Sequence, residues 1–203
     1  MMAPDAPRLV LASQSTARAE VLRQAGVTFE IRPAAVDEDA VKASARAEGV
    51  AIADTAMLLA EMKALRVSRR DPDAVVIGAD QMLVCDGVWF DKPADRAGAR
   101  TQLQTLRGKE HRLITVMVLA RGGQRIWHHL TESRMTMRRF SDAFLDAYLD
   151  AEGDAVLGSV GAYRLEGSGV QLFEAVVGDH SAVLGLPLLP LLGFLRQHGV
   201  LMD

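Results

Sequence analysis

Two serines and an arginine that suit phosphate binding stand at the start of the first predicted helix. Ser13 and Ser15 lie in a polar turn between a predicted strand over 8–12 and a predicted helix over 16–25, and Arg18 lies in the first helical turn. The N–H groups and the dipole of a helix start carry partial positive charge, and Arg18 adds a full charge. The segment therefore indicates an anion site. On local pattern alone, an ordinary N-cap with a solvated arginine is the commoner outcome.

A carboxylate, Asp80, follows a short apolar run. The runs 75–77 and 82–85 predict two buried strands, with Gly78-Ala79-Asp80-Gln81 between them. Side chains at strand ends face the crevice in which α/β proteins bind ligands. Asp80 is therefore a candidate to bind Mg²⁺ or to take a proton from water. A turn-forming aspartate is the plainer alternative.

Three further charged features could take part in such a site. The acidic run 37–39 predicts a loop that is either solvated or neutralised by a cation. Lys63 falls among apolar residues of a long helical pattern over 43–68, where its charge must reach solvent or a partner. Lys92 precedes a proline just after a hairpin that turns at Asp86-Gly87. The surface is the usual place for each lysine.

The elements that must position these residues are a mixture of strands and helices. Beyond those above, the patterns predict a helix over 95–106, strands over 111–120, 124–138 and 170–177, and helices over 141–149 and 187–197. Mixed strands and helices with prominent hairpins predict an α/β or mixed α+β fold in two lobes. The length of 203 residues predicts a single domain over 1–203.

The composition limits the partners and the compartment. With 23 Lys and Arg against 26 Asp and Glu, the net charge is −3, which gives no bulk attraction for nucleic acid or an anionic membrane. The aromatic content of 5% also disfavours RNA binding. The single cysteine, Cys85, favours a reducing cytosol. No signal peptide or membrane span is indicated, so we expect a cytoplasmic protein without nucleic-acid or membrane partners.

Several short segments, in order, resemble motifs of the Maf family of nucleoside triphosphate pyrophosphatases. They extend from about Leu9 to Leu195 and read LASQSTAR, VDED, LAEMKA, IGADQ, DKP, GAYRLEG and VLGLPL. The resemblance implies a Maf- and inosine-triphosphatase-like elongated mixed sheet with helices, in two lobes around a central cleft. It also implies hydrolysis of a nucleoside triphosphate to a monophosphate and pyrophosphate, with Mg²⁺ or Mn²⁺, in a homodimer.

The resemblance also implies a role for each matching residue. The family's acid–base aspartate falls on Asp80, and its metal-associated carboxylates fall on Glu38 and Asp80. In the implied reaction, water attacks the α-phosphorus in line while Asp80 aligns it. The implied phosphate-binding groups are Ser13, Ser15, Arg18, Lys63 and Lys92.

Departures from the family motifs bear on the base. Gln81 and Glu166 match the subgroup that resembles 7-methyl-GTP hydrolases, while Ala17 and Ser159 replace a family arginine and lysine. An ionised Glu166 offers only acceptors, which suits the donors of a guanine edge or a methylated base. The resemblance thus favours clearance of modified or non-canonical purine nucleotides. A dTTP/UTP pyrophosphatase and a non-catalytic nucleotide-binding regulator of cell division are the alternatives.

Overall fold

The computed structural model describes residues 1–202, which contain both strands and helices. The strands are β1 Leu9–Leu11, β2 Glu30–Ile31, β3 Val75–Cys85, β4 Val88–Phe90, β5 Glu110–Arg121, β6 Gln124–Met137 and β7 Phe173–Val177. The helices are α1 Thr16–Gln24, α2 Glu38–Ala47, α3 Ile52–Ser68, α4 Arg96–Leu106, α5 Asp142–Glu152, α6 His180–Val183 and α7 Leu188–Gln197. Short 3₁₀ segments between α5 and β7 span Gly153–Gly158, Val160–Ala162 and Ser168–Leu172. Within residues 1–202, no helix has the length and apolar character needed to span a membrane.

The strands form one mixed sheet in the order β2-β1-β3-β5-β6-β7, and β4 pairs with β3. β1 lies parallel to both neighbours, with Val10 opposite Glu30 and Val76. β4 is antiparallel to β3 through a turn at which Asp86 and Gly87 both have positive φ, as the Asp-Gly hairpin signal predicts. β7 is antiparallel to β6. The predicted α/β class with mixed strands is confirmed.

The chain divides into two compact units. The first comprises Met1–Asp80, Thr115–Thr131 and the chain from His180, and the second comprises Gln81–Ile114 and Glu132–Asp179. The two lobes expected from the sequence are therefore present. The central cleft and the description of residues 1–203 as a single domain stay predictions.

The first unit packs helices on both faces of its strands. On one face, Leu11 of β1 joins a buried cluster with Leu22 of α1 and Leu195 of α7. On the other face, Val10 of β1 clusters with Val67 of α3. Successive strand residues point to opposite faces, so a continuous apolar strand serves two layers. Each fully buried side chain of this kind contributes about 1.5–3 kcal/mol.

The long helix predicted over 43–68 is wrong in its extent. The structure has two helices, α2 and α3, because Gly49 adopts a left-handed φ of +69° after α2 and ends it. The acidic run 37–39 is also not a loop. Asp37 caps α2 by accepting a hydrogen bond from Ala40 N at 3.1 Å, and Glu38 and Asp39 form the first turn. Acidic residues are favoured there by the helix dipole.

The two strands predicted on either side of Asp80 are in fact one. β3 runs without interruption from Val75 to Cys85, so Asp80 lies inside a strand and not after one. The small residues before Asp80 resemble a turn in sequence but serve close packing in the structure. The strand predicted over 170–177 is likewise shortened to Phe173–Val177, because a 3₁₀ segment occupies Ser168–Leu172.

Candidate active site

A buried lysine joins two carboxylates at the centre of the candidate site. Lys63 Nζ lies 2.6 Å from Asp80 Oδ1 and 2.7 Å from Glu38 Oε1. The side chains of Lys63 and Asp80 are 8% and 4% exposed, whereas that of Glu38 is 38% exposed. The charge of Lys63 is thus balanced by two carboxylates, and its ammonium group is not exposed to solvent. The start of α2, the middle of α3 and strand β3 each supply one member.

Close packing of α3 on β3 allows this contact. Gly78 and Asp80 share the face of β3 that meets α3, because alternate strand residues point the same way. A Cβ on Gly78 would lie 2.3 Å from Ala60 O and 2.8 Å from Ala64 Cβ, so only glycine fits. Lys63 lies between those two alanines on α3. The glycine therefore brings the helix near enough for the lysine to reach Asp80.

Arg18 is held by the protein and not left in solvent, so the solvated alternative is wrong. Its Nη1 donates to Ser13 Oγ at 3.1 Å and to Ala79 O at 3.0 Å, and its Nε donates to Gly185 O at 2.9 Å. Ser15 is the N-cap of α1, since its Oγ accepts from Arg18 N at 3.3 Å. Gly185 has a φ of +92°, and a Cβ there would lie 3.0 Å from Arg18 Nε.

The charges of this cluster balance one another in a buried setting. Burial raises the pKa of Asp80, and the charge and hydrogen bond of Lys63, followed by the charge of Arg18, oppose that rise. Burial lowers the pKa of Arg18, while Asp80 and Glu38 oppose that fall. Two cations and two carboxylates therefore stabilise each other at one place in the first unit.

One oxygen of Asp80 has no protein partner. Asp80 Oδ2 is buried and accepts no hydrogen bond from residues 1–202. An unsatisfied buried acceptor costs about 1–3 kcal/mol, more when charged. Such an oxygen can accept a hydrogen bond from water or bind a cation.

The donor set fits a divalent cation shared with a phosphate ligand. Across the described residues, no group of three or more His, Cys, Asp or Glu side chains is placed to hold a metal. Mg²⁺ is commonly bound through one or two carboxylates together with substrate phosphates. Glu38 and the unpartnered oxygen of Asp80 supply such carboxylates.

Three of the residues predicted to bind substrate belong to the second unit, and they differ in burial and contacts. Gln81 is half-buried, whereas every other residue of β3 is buried. Lys92 is exposed in the loop after β4. Glu166 is 33% exposed, and its Oε1 accepts from Arg164 Nε at 3.2 Å.

Sequence reasoning missed three residues near the predicted ones. Lys42 is buried on α2 one turn after Glu38, and this four-residue spacing was the available signal. Gly185 lies within the VLGLPL segment, but nothing in that motif revealed its contact with Arg18. Glu152, at the end of α5, carried no local signal at all.

A helix start with an arginine in its first turn, as α1 has with Arg18, is typical of proteins that bind phosphorylated ligands. The chain belongs to the Maf-like protein family, which it matches over residues 8–198. This confirms the family that the sequence motifs indicated.

Close relatives cover nearly the whole chain. A protein of Granulibacter bethesdensis named nucleoside triphosphate pyrophosphatase is 58% identical over 96% of this chain and 98% of its own length. One of the same name from Paramagnetospirillum magneticum is 60% identical over 95% and 99%. A protein of Brucella abortus named 7-methyl-GTP pyrophosphatase is 47% identical over 94% and 96%.

Proposed function

We propose that this protein hydrolyses nucleoside triphosphates to nucleoside monophosphates and pyrophosphate. The observation that carries the proposal is the buried contact of Lys63 with Glu38 and Asp80, with Arg18 and Ser13 in the same unit. Relatives that bear the name nucleoside triphosphate pyrophosphatase at 58% and 60% identity support it.

The cationic groups bind the triphosphate. Arg18 is fixed by two carbonyls and Ser13, so little side-chain freedom is lost when it meets a phosphate oxygen. Ser15 fixes the start of α1, whose N–H groups favour an anion. Lys63 and Lys92 supply further positive charge.

Asp80 aligns and deprotonates the attacking water. Its Oδ1 is anchored by Lys63, which leaves the unpartnered Oδ2 to accept the proton of the water. A raised pKa makes this carboxylate a better proton acceptor than an exposed aspartate. The water oxygen bonds to the α-phosphorus, and the bond to the bridging oxygen breaks. Pyrophosphate leaves with that electron pair. A divalent cation, Mg²⁺ or Mn²⁺, held by Glu38 and Asp80 would neutralise phosphate charge.

Pyrophosphate release tests the reaction directly. The purified protein is incubated with a panel of triphosphates and Mg²⁺ or Mn²⁺, with chelator as the control. We expect stoichiometric monophosphate and pyrophosphate, dependent on the cation. Nucleotide binding without turnover across the panel would favour the regulator of cell division and overturn the proposal.

For the base, we propose a 7-methyl-GTP-like purine recognised by Gln81 and Glu166. Acceptor oxygens on Glu166 match guanine donors, and a relative named 7-methyl-GTP pyrophosphatase supports this choice. The test is kcat/KM for 7-methyl-GTP, GTP, dTTP and UTP. Glu166→Gln is expected to shift the ranking toward pyrimidines. A wild-type preference for dTTP or UTP would favour the pyrimidine alternative instead.

We also propose that the protein acts in the cytoplasm as a homodimer, and that its task is to clear modified or non-canonical nucleotides. The buried free thiol of Cys85 is compatible with a reducing compartment. Cell fractionation and analytical ultracentrifugation test the first two points, and nucleotide pools of a deletion strain test the third.

A further inference from the structure

A buried glutamate organises the segment that carries Glu166. Glu152, the last residue of α5, has a side chain only 7% exposed. Its Oε1 accepts from Ser168 N at 2.8 Å and from Ser168 Oγ at 2.6 Å, and its Oε2 accepts from Arg164 Nη1 at 2.8 Å. The carboxylate thus ties together both sides of Glu166 in the chain.

Arg164 connects this glutamate to Glu166. Its Nη1 is bonded to Glu152, while its Nε donates to Glu166 Oε1 at 3.2 Å. Its backbone N donates to Tyr148 Oη at 3.3 Å, and Tyr148 Oη donates in turn to Ala162 O at 3.2 Å. Burial raises the pKa of Tyr148, so its hydroxyl stays protonated. Both the main chain and the side chain of Arg164 are therefore fixed.

Two glycines allow the segment to pack closely against Glu152 and Arg164. A Cβ on Gly167 would lie 2.6 Å from Glu152 Oε1, and one on Gly169 would lie 2.4 Å from Arg164 O. The chain therefore folds directly onto the Glu152 carboxylate and the Arg164 backbone. Glu166 projects from a segment whose shape depends on those contacts.

We propose that Glu152 is a positioning residue that sets the base preference through Arg164 and Glu166. The inference rests on the proposed role of Glu166 in base recognition. Because Glu152 shares the charge of Arg164, the arginine engages only one oxygen of Glu166. Without the Glu152 charge, Arg164 turns fully to Glu166 and neutralises the acceptor that a guanine edge needs.

A double-mutant cycle on selectivity tests the proposal. The readout is the ratio of kcat/KM for 7-methyl-GTP to that for UTP in wild type, Glu152→Gln, Glu166→Gln and the double mutant. Glutamine keeps an acceptor for Ser168 but removes the negative charge and the second oxygen that accepts from Arg164. We expect Glu152→Gln to lower the ratio about tenfold, in line with the loss of a charged hydrogen bond. When Glu166 is already glutamine, Glu152→Gln should not change the ratio further.

Two other variants keep the test decisive. Arg164→Lys leaves the bonds between Glu152 and Ser168 but removes the Nε–H that orients Glu166 Oε1, so it should also lower the ratio. Asp146→Asn is the matched control, because Asp146 lies on the same helix as Glu152, in a partly buried pair with Arg100 at 2.8 Å. It should leave the ratio unchanged.

The outcomes separate this inference from the base assignment. If Glu166→Gln changes the ratio while Glu152→Gln and Arg164→Lys do not, the positioning role is overturned and the base assignment stands. Additive changes in the double mutant would mean that Glu152 does not act through Glu166, which also overturns it. If Glu166→Gln itself has no effect, both fail.

Discussion

Two opposing effects act on the pKa of Asp80. Burial favours its neutral form, while Lys63 at 2.6 Å favours its charged form. The aspartate therefore carries a carboxylate that is anchored on one oxygen and unpartnered on the other. An unpartnered carboxylate oxygen is compatible with the proposed role of Asp80 as general base.

The first prediction is that Asp80→Asn folds but loses hydrolysis. The asparagine carbonyl can still accept from Lys63, so the packing survives, while the proton acceptor is lost. Removal of a general base typically lowers the rate about 10²–10⁴-fold. Pyrophosphate release and circular dichroism on the same sample check this. Near-normal turnover by the folded variant would remove Asp80 from the mechanism.

Lys92 is the better residue for a test of the phosphate site, because it is exposed and its substitution should leave the fold intact. Arg18 is less suitable, because it also bonds to the backbone at Gly185, so its loss would affect stability as well as binding. We predict that Lys92→Ala lowers kcat/KM about tenfold or more, since a charged hydrogen bond contributes about 1.5–3 kcal/mol. The melting temperature should hardly change. Lys109→Ala, which removes a lysine paired with Asp86 at 3.0 Å, is the control. Equal effects of the two substitutions would place the triphosphate elsewhere.

At the element scale, the site depends on how closely α3 approaches β3. We predict that Gly78→Ala costs about 1–3 kcal/mol of unfolding free energy, because the new methyl group would meet Ala60 O at 2.3 Å. It should lower activity as well, since a displaced α3 moves Lys63 away from Asp80. Denaturant unfolding and kcat/KM are the measurements.

Gly158→Ala is the matched control for that substitution. A Cβ at Gly158 has nothing within 4 Å, so stability and activity should both stay near wild type. If Gly78→Ala is as harmless as this control, α3 does not need glycine to reach its position. The close approach would then not explain the contact between Lys63 and Asp80.

The sequence predicted elements better than it predicted their junctions. The Asp86-Gly87 hairpin and the N-cap at the start of α1 are local signals, and the structure confirms them. The continuity of β3 was missed because its small residues before Asp80 have the composition of a turn. They are small because α3 packs closely on β3 at Gly78, and a local sequence pattern does not reveal that tertiary contact.

The same limit applies to the site. Family motifs pointed to Glu38, Lys63 and Asp80, and the structure brings those three together. The roles of these residues stay predictions. Glu152 could not be found, because its significance arises only when the chain folds back and places Arg164 and Ser168 against it.

At the scale of the whole molecule, a buried histidine links stability to pH. His111 is 1% exposed in the second unit, where its ring lies against Tyr163 and Phe173. Its Nε2 lies 2.9 Å from Tyr163 Oη, and its buried Nδ1 has no hydrogen-bond partner among residues 1–202. Burial lowers the pKa of His111 to about 4. The folded protein therefore holds a neutral ring at pH values at which an unfolded chain already binds a proton.

The last prediction follows from that difference. The contribution of His111 is fully present above the ordinary histidine pKa of about 6.5. It declines as pH falls toward 4, because only the unfolded state binds the proton over that interval. The total decline is roughly 3 kcal/mol, since each unit of pKa difference corresponds to about 1.4 kcal/mol. Urea unfolding of wild type and His111→Gln between pH 7.5 and 4 measures this decline, because glutamine can bond Tyr163 but does not titrate.

The plot of unfolding free energy against pH should be flatter for His111→Gln by that amount. The control is His128→Gln, at an exposed position, which should follow wild type. Parallel curves for all three proteins would show that His111 titrates alike in the folded and unfolded states.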